Sequence, residues 1–244
     1  MQQTQISAHR DVEPLWQAQL PGRPLSGLTV LVVEDSRIAA EAIRLLCLRS
    51  GARIRRADSL RTAMRHLQIY RPAVVIVDIG LPDGSGAELI DKIRQLGTKA
   101  PVVIGISGDP QMRQPTLDAG AAAFMEKPVE SLAMFQQTIL GALPKGSAPK
   151  GPRILPNDMI IPDQSALYAD LTRISEALAE PCEGASVGYL ARFLTGVARW
   201  AHDAPLARAA EELTRAHEAG QDVDAGLRQI SSLVNTRLAG AGIN

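Results

Sequence analysis

The stretch "VVIVDIGLPDGSG", residues 74–86, decides how the chain is read. Together with Ala73 it opens on an apolar, mostly β-branched run, closes that run on Asp78, and turns at once through Gly80, Pro82 and Gly84. A short β-branched run bounded by Gly and Pro has the pattern of a buried strand, because branched side chains pack well on a pleated surface and Gly and Pro end it. The residues that follow, "GAELIDKIRQLG", space their apolar side chains at helical period. The unit is therefore strand, turn, helix.

The same unit recurs on both sides. "LTVLVVE" from Leu28 leads into "SRIAAEAIRLLCLRSG", closed by Gly51, and "RIRRA" leads into "SLRTAMRHLQIY". After the central unit come "PVVIGIS" with a helix from about Pro110 to Ala119, and "AAFME" with a helix from about Ser131 to Leu140. Five strands alternating with five helices predict an α/β fold, a five-stranded doubly wound parallel sheet, since each right-handed crossover returns the chain to the same sheet. The second strand is short and basic, as an edge strand is.

Beyond this unit the composition changes. Residues 141–164 hold five prolines, three glycines and the last two lysines of the chain, so 142–163 are expected to be an interdomain linker with Ile160 and Ile161 as anchors. Ala-rich segments at helical period follow at about 164–179, 186–203, 205–219 and 223–238, predicting a C-terminal all-α four-helix bundle. Residues 1–27 are polar and read as an N-terminal extension around Trp16. The expected organisation is thus extension 1–27, α/β domain 28–141, linker 142–163 and helical domain 164–244.

A chain of 244 residues, 45% apolar, has material for two cores. Its 26 basic and 26 acidic residues cancel, which gives no overall bias toward nucleic acid or anionic membrane. Cys47 and Cys182 lie far apart and fit reduced thiols. The first residues lack a basic-then-apolar signal pattern and no apolar run approaches a membrane span of about 20 residues, so the expectation is a soluble, cytoplasmic protein with no membrane partner.

In an open parallel sheet, functional groups gather at the carboxyl ends of the strands. Here those ends carry Glu34 and Asp35, then Asp78, then Ser107, then Lys127 followed by Pro128. Three carboxylates together would repel one another and call for a hard divalent cation such as Mg2+. A lysine and a hydroxyl beside them call for an anion, and a phosphoryl group on a carboxylate meets both requirements.

"VVEDS", "VDIGLPDGSG", "GIS" and "FMEKP", in this order, resemble the receiver domain of bacterial two-component response regulators, which has a flavodoxin-like (CheY-like) fold. The resemblance covers roughly residues 28–141. It implies that Asp78 accepts a phosphoryl group from a sensor histidine kinase or a phosphotransfer protein, and that Glu34, Asp35 and Asp78 hold Mg2+ with the Gly80 backbone carbonyl. It further implies that Ser107 bonds a phosphoryl oxygen, that Lys127 pairs with the phosphoryl charge across a cis Lys127–Pro128 peptide, and that Phe124 is the switching aromatic. Asp78 is expected to be exposed and accessible at its strand end. Gly80 and Gly108 depart from the family's usual residues without removing a reacting group. Phosphatases that use a strand-end Asp resemble a D-x-D arrangement instead, and Gly80 occupies their second position, so no enzyme is expected.

For the C-terminal region, residues 165–244 hold seven arginines, no lysine and ten acidic residues, a formal charge of −3. That disfavours a DNA-contacting surface. His202 and His217 stand apart from any catalytic cluster. "YLARFLTGVARW", residues 189–200, with "LARAAEELTRAHEAGQD" after it, is similar to the histidine-phosphotransfer (HPt) bundle, matching at Ala191, Leu194 and Gly196. The position of the phosphorylated histidine holds Arg192, and Thr195 replaces the accompanying lysine. Arginine offers no free nitrogen lone pair to carry a phosphoryl group. The reading is a response regulator that signals through a downstream protein partner and allows a homodimer, with a DNA-binding regulator or a phosphorylation-controlled catalytic effector as alternatives.

Overall fold

The computed structural model describes residues 23–144, 156–179 and 185–240. Trp16, most of the expected extension, residues 145–155 of the expected linker and Cys182 lie outside the described residues. Strands β1 (Thr29–Val33), β2 (Arg53–Ala57), β3 (Val74–Asp78), β4 (Val102–Ser107) and β5 (Ala123–Glu126) form one all-parallel sheet in the order β2-β1-β3-β4-β5. This is the flavodoxin-like receiver fold, with the basic strand β2 at the edge.

Helices α1 (Arg37–Arg49), α2 (Leu60–Ile69), α3 (Gly86–Arg94), α4 (Arg113–Asp118) and α5 (Leu132–Ala142) connect the strands. Side chains alternate across the sheet with period two. Val30 and Val32 of β1 pack with α1 and α5, whereas Leu31 and Val33 pack on the other face with Ala63 of α2 and Leu89, Ile90 and Ile93 of α3. Ser36, Ser59, Ser85 and Ser131 cap the N-termini of α1, α2, α3 and α5 with their hydroxyl oxygens. The helix expected from Pro110 is shorter than its sequence pattern: a 3-10 turn, Pro110–Met112, precedes α4.

The C-terminal region is helical, with α6 (Gln164–Ala179), α7 (Ala185–Trp200), α8 (Ala204–Glu218) and α9 (Asp224–Gly240). It shares one hydrophobic core with the sheet's α1 face, where Leu171 and Ile174 of α6 and Leu190 and Leu194 of α7 join Ile38, Ala42 and Ile43. Each fully buried side chain of this size contributes about 1.5–3 kcal/mol, so the seam is a packed core and not a touching of two surfaces.

Two expectations therefore change. The segment before α6 is anchored through its backbone: Leu132 N–H donates to the Asp158 carbonyl at 3.1 Å and Ile160 N–H to the Glu130 carbonyl at 2.9 Å. Ile160 is buried while Ile161 is 86% exposed, so one of the two expected anchors serves. The extension expected to end at residue 27 also contributes to the core, because Leu25 is fully buried and its N–H donates to the Ser50 carbonyl at 2.9 Å.

Candidate functional site

The carboxyl ends of β1, β3, β4 and β5 converge as the strand order requires. Glu34 and Asp35 follow β1, Asp78 ends β3, Ser107 ends β4 and Lys127 follows β5, and all five are buried. Lys127 Nζ lies 2.7 Å from Glu34 Oε2 and 2.9 Å from Asp78 Oδ2, bridging two carboxylates from different strands. The Lys127–Pro128 peptide is cis. Ser107 Oγ accepts from the Asp109 N–H at 3.1 Å and lines the same cavity as Asp78. Phe124, in β5, is buried.

Local sequence explains how Asp78 is held. The turn after it forms a hairpin of two-residue strands, Gly80–Leu81 and Gly84–Ser85, and Gly80 N–H donates to Asp78 Oδ1 at 3.3 Å. Asp83, in that hairpin, accepts from the Leu60 and Arg61 N–H groups at 2.8 and 3.0 Å, tying the turn to the start of α2. Gly86 admits the close approach of α3: a Cβ there would sit 2.0 Å from the Asp78 carbonyl oxygen.

The electrostatics follow from burying like charges. Burial pushes the Glu34 carboxyl up to about 8 despite the Lys127 ammonium beside it, and pushes Asp35 up to about 6 despite the hydrogen bond from Tyr189. Burial works against the Lys127 ammonium too, but Asp78 and Glu34 outweigh it and hold the lysine above its ordinary value. Glu34, Asp35 and Asp78 can each offer one oxygen, all within 4.8 Å of one another, and Asp35 Oδ1 is buried with no hydrogen-bond partner. Hard oxygen donors, a strained protonation balance and an unmatched buried oxygen fit a divalent cation such as Mg2+. Gly80, expected as a carbonyl ligand, donates its N–H to Asp78 and lines the same cavity.

The site is not open, and here the expected accessibility of Asp78 is corrected: it is 7% exposed because α7 lies across the strand ends. Tyr189 of α7 donates its hydroxyl to Asp35 Oδ2. Arg173 of α6 reaches the same oxygen at 3.4 Å, donates to the Tyr189 hydroxyl at 2.9 Å, and lies 4.9 Å from the centre of the Phe193 ring. Burial and the Asp35 charge push the Tyr189 phenol up, which keeps it protonated and donating. Arg199 donates to the Gly108 carbonyl, next to Ser107, and pairs with Glu211 at 2.9 Å. Between these contacts is a cavity of about 400 Å³ lined by Asp78, Ser107 and Lys127 from the strand ends and by Arg192, Thr195 and Gly196 of α7.

The seat of the helical region is a single buried carboxylate. Asp170 of α6, fully buried, accepts from Ser36 Oγ at 2.9 Å, Arg37 N–H at 2.9 Å and Ile38 N–H at 3.0 Å, so it caps α1 from another part of the chain. Burial raises its pKa and the three hydrogen bonds oppose that. Asp170, Arg173, Tyr189 and Arg199 are the residues that sequence reasoning missed. A signal existed for α7, where Tyr189, Arg192, Gly196 and Arg199 fall on one face at helical spacing along an otherwise apolar helix. His202, in a left-handed conformation (φ 51°), contacts Glu130 at 2.9 Å, far from any role as a carrier.

Among known proteins, the family described as response regulator receiver domain matches residues 30–138. The KDP operon transcriptional regulatory protein KdpE of Escherichia coli K12 is 30% identical over 123 residues, 50% of this chain and 54% of that protein. The chain thus spans about half the length of the curated relatives it matches. A solved structure of a putative response regulator from Chloroflexus aurantiacus is similar at 29% identity, covering 47% of this chain and 98% of that one with a TM-score of 0.43. The response regulator TrrA from Thermotoga maritima, solved in complex with Mg(2+)-BeF, is 22% identical, covers 48% of this chain and 99% of its own, and has a TM-score of 0.44. No helix among the described residues is long and apolar enough to cross a membrane. Residues 30–138, with the acid cluster and Lys127 at their strand ends, form a response regulator receiver domain.

Proposed function

We propose that Asp78 is the phosphoacceptor of a two-component response regulator and that the helical region serves as its output through contact with a protein partner. The observation that carries this is Lys127 Nζ held between Asp78 and Glu34 at 2.9 and 2.7 Å, within a group of three carboxylates that fits a divalent cation. An Asp78 oxygen attacks the phosphorus of a phosphohistidine on a sensor kinase or phosphotransfer protein. The P–N bond breaks, the leaving imidazole nitrogen takes a proton from solvent, and an acyl phosphate forms on Asp78. Glu34, Asp35 and Asp78 would hold Mg2+, which neutralises phosphoryl charge as it develops. Lys127 exchanges its carboxylate partners for phosphoryl oxygens, and Ser107 donates its hydroxyl to another.

The order of regions expected from the sequence is retained in this reading, with the helical region packed on the α/β domain through a shared core, as are a cytoplasmic location and the absence of an enzymatic output. The similarity of residues 189–200 to a phosphotransfer bundle, with Arg192 in place of histidine, is supported by the position of α7 over the acceptor, the side from which a phosphodonor must come. A DNA-binding output, by analogy with relatives described as transcriptional regulators, is disfavoured by the formal charge of −3 in residues 165–244. The test is incubation of the full chain with a small acyl phosphate and Mg2+, followed by mass spectrometry. Asp78 gains the phosphoryl mass and Asp78→Asn gains none; equal labelling of the variant contradicts the reading.

A further inference from the structure

The two ends of α7 are gripped by residues on opposite sides of Asp78. Tyr189 holds Asp35, after β1, and Arg199 holds the Gly108 carbonyl, after β4, while β3 with Asp78 lies between those strands in the sheet. A helix rises about 1.5 Å per residue, so Arg192 lies about 4.5 Å along the axis from Tyr189. Neighbouring strands are about 4.8 Å apart. The ten residue steps from Tyr189 to Arg199 rise about 15 Å, more than the about 9.6 Å of the two strand spacings between their partners, so the helix crosses the end of β3 between its anchors, and Arg192, between them, lines the same cavity as Asp78.

Several of the charges around it are already committed. Lys127 is shared by Glu34 and Asp78, Arg173 is on Asp35 and Arg199 is on Glu211. Among the described residues no carboxylate lies within ion-pair distance of Arg192, which is exposed and leans back over Gly188, its NH1 3.6 Å from where a Cβ would be. Gly196, one turn further on, leaves open space beside it, since a Cβ there would meet nothing within 4 Å. An unpaired guanidinium and room for an anion thus share one cavity with the carboxylate proposed to become a phosphoanion.

We propose that the helical region completes the phosphoryl site: Arg192 binds the phosphoryl group on Asp78 from the side opposite Lys127. The arginine that excludes phosphate-carrier chemistry is then a phosphate ligand, and the helical region senses phosphorylation by direct contact with the charge. A guanidinium presents two parallel N–H groups to two phosphoryl oxygens, a geometry that lysine, with a single ammonium, reproduces only in part. This inference rests on the phosphoacceptor reading of Asp78.

The test uses the full chain and beryllofluoride, a tetrahedral phosphoryl mimic that forms on a carboxylate oxygen, titrated at fixed Mg2+ and followed by 19F NMR. Loss of one charge-assisted contact predicts about tenfold weaker binding for Arg192→Ala, about 1.4 kcal/mol, with Arg192→Lys between the two. Thermal unfolding without beryllofluoride stays unchanged in both variants, because Arg192 has no partner to lose. Unchanged or tighter binding by Arg192→Ala overturns the inference and leaves the Asp78 reading intact. Failure of the wild-type chain to take up beryllofluoride at all overturns both.

Discussion

Two buried carboxylates meet at the junction of strand β1 and helix α1, and they are treated in opposite ways. Asp170, from the helical region, has three donors on its two oxygens. Asp35, a few residues from those donors, has Tyr189 and Arg173 on one oxygen and nothing on the other, and it sits beside two further carboxylates. A buried charge that is fully hydrogen-bonded holds a structure in place. One that is crowded by like charges and left partly unmatched is held ready for a ligand. The difference separates the residue that seats the helical region from the residues proposed to do chemistry, although all are aspartate or glutamate and all are buried.

This contrast can be broken by exchanging the losses. Asp78→Asn removes phosphorylation entirely, while the melting temperature is expected to hold or rise, because one of three repelling carboxylates is gone. Asp170→Ala should do the reverse. It leaves Ser36 Oγ and two backbone N–H groups of α1 without an acceptor in a buried seam, an expected loss of about 3–5 kcal/mol in chemical denaturation. Asp170→Asn, which keeps one acceptor oxygen, should cost less. If Asp170→Ala unfolds like the wild type, the seam is not what seats the helices.

A smaller effect sharpens the Asp35 side. Tyr189 donates to Asp35 Oδ2 and so draws negative charge from the carboxylate whose other oxygen is left for a cation; Tyr189→Phe is therefore expected to tighten Mg2+ binding by a few-fold, on the scale of one hydrogen bond of about 1 kcal/mol. Isothermal titration checks this. Weaker Mg2+ binding in the variant would mean that Tyr189 orients Asp35 for the ion and does not compete with it.

The receiver fold was legible because its signals are local: apolar runs of strand length, Gly- and Pro-rich turns and helical spacing repeat in order. The five site residues were legible for a topological reason, since a parallel sheet must deliver its strand ends to one edge. What covers that edge was not. Periodicity shows that α7 has an apolar face but not what it packs against, and nothing near Asp170 in sequence reveals that its acceptors serve Ser36, Arg37 and Ile38. The proline-rich composition before α6 suggested a linker anchored by Ile160 and Ile161, of which Ile160 is held, by a backbone hydrogen bond to Glu130 that composition does not encode. The resemblance pointed to Phe124 as the switching residue, whereas the contacts in place run from the acceptor end directly to α7.

Hydrogen–deuterium exchange of the full chain, with and without beryllofluoride and Mg2+, tests most directly the claim that the helical region reads the acceptor site by contact. The account predicts altered protection in residues 34–37, 107–110 and 189–200 together, with no change in Asp78→Asn. Changes confined to residues before 144, with α7 indifferent to an occupied Asp78, would contradict it.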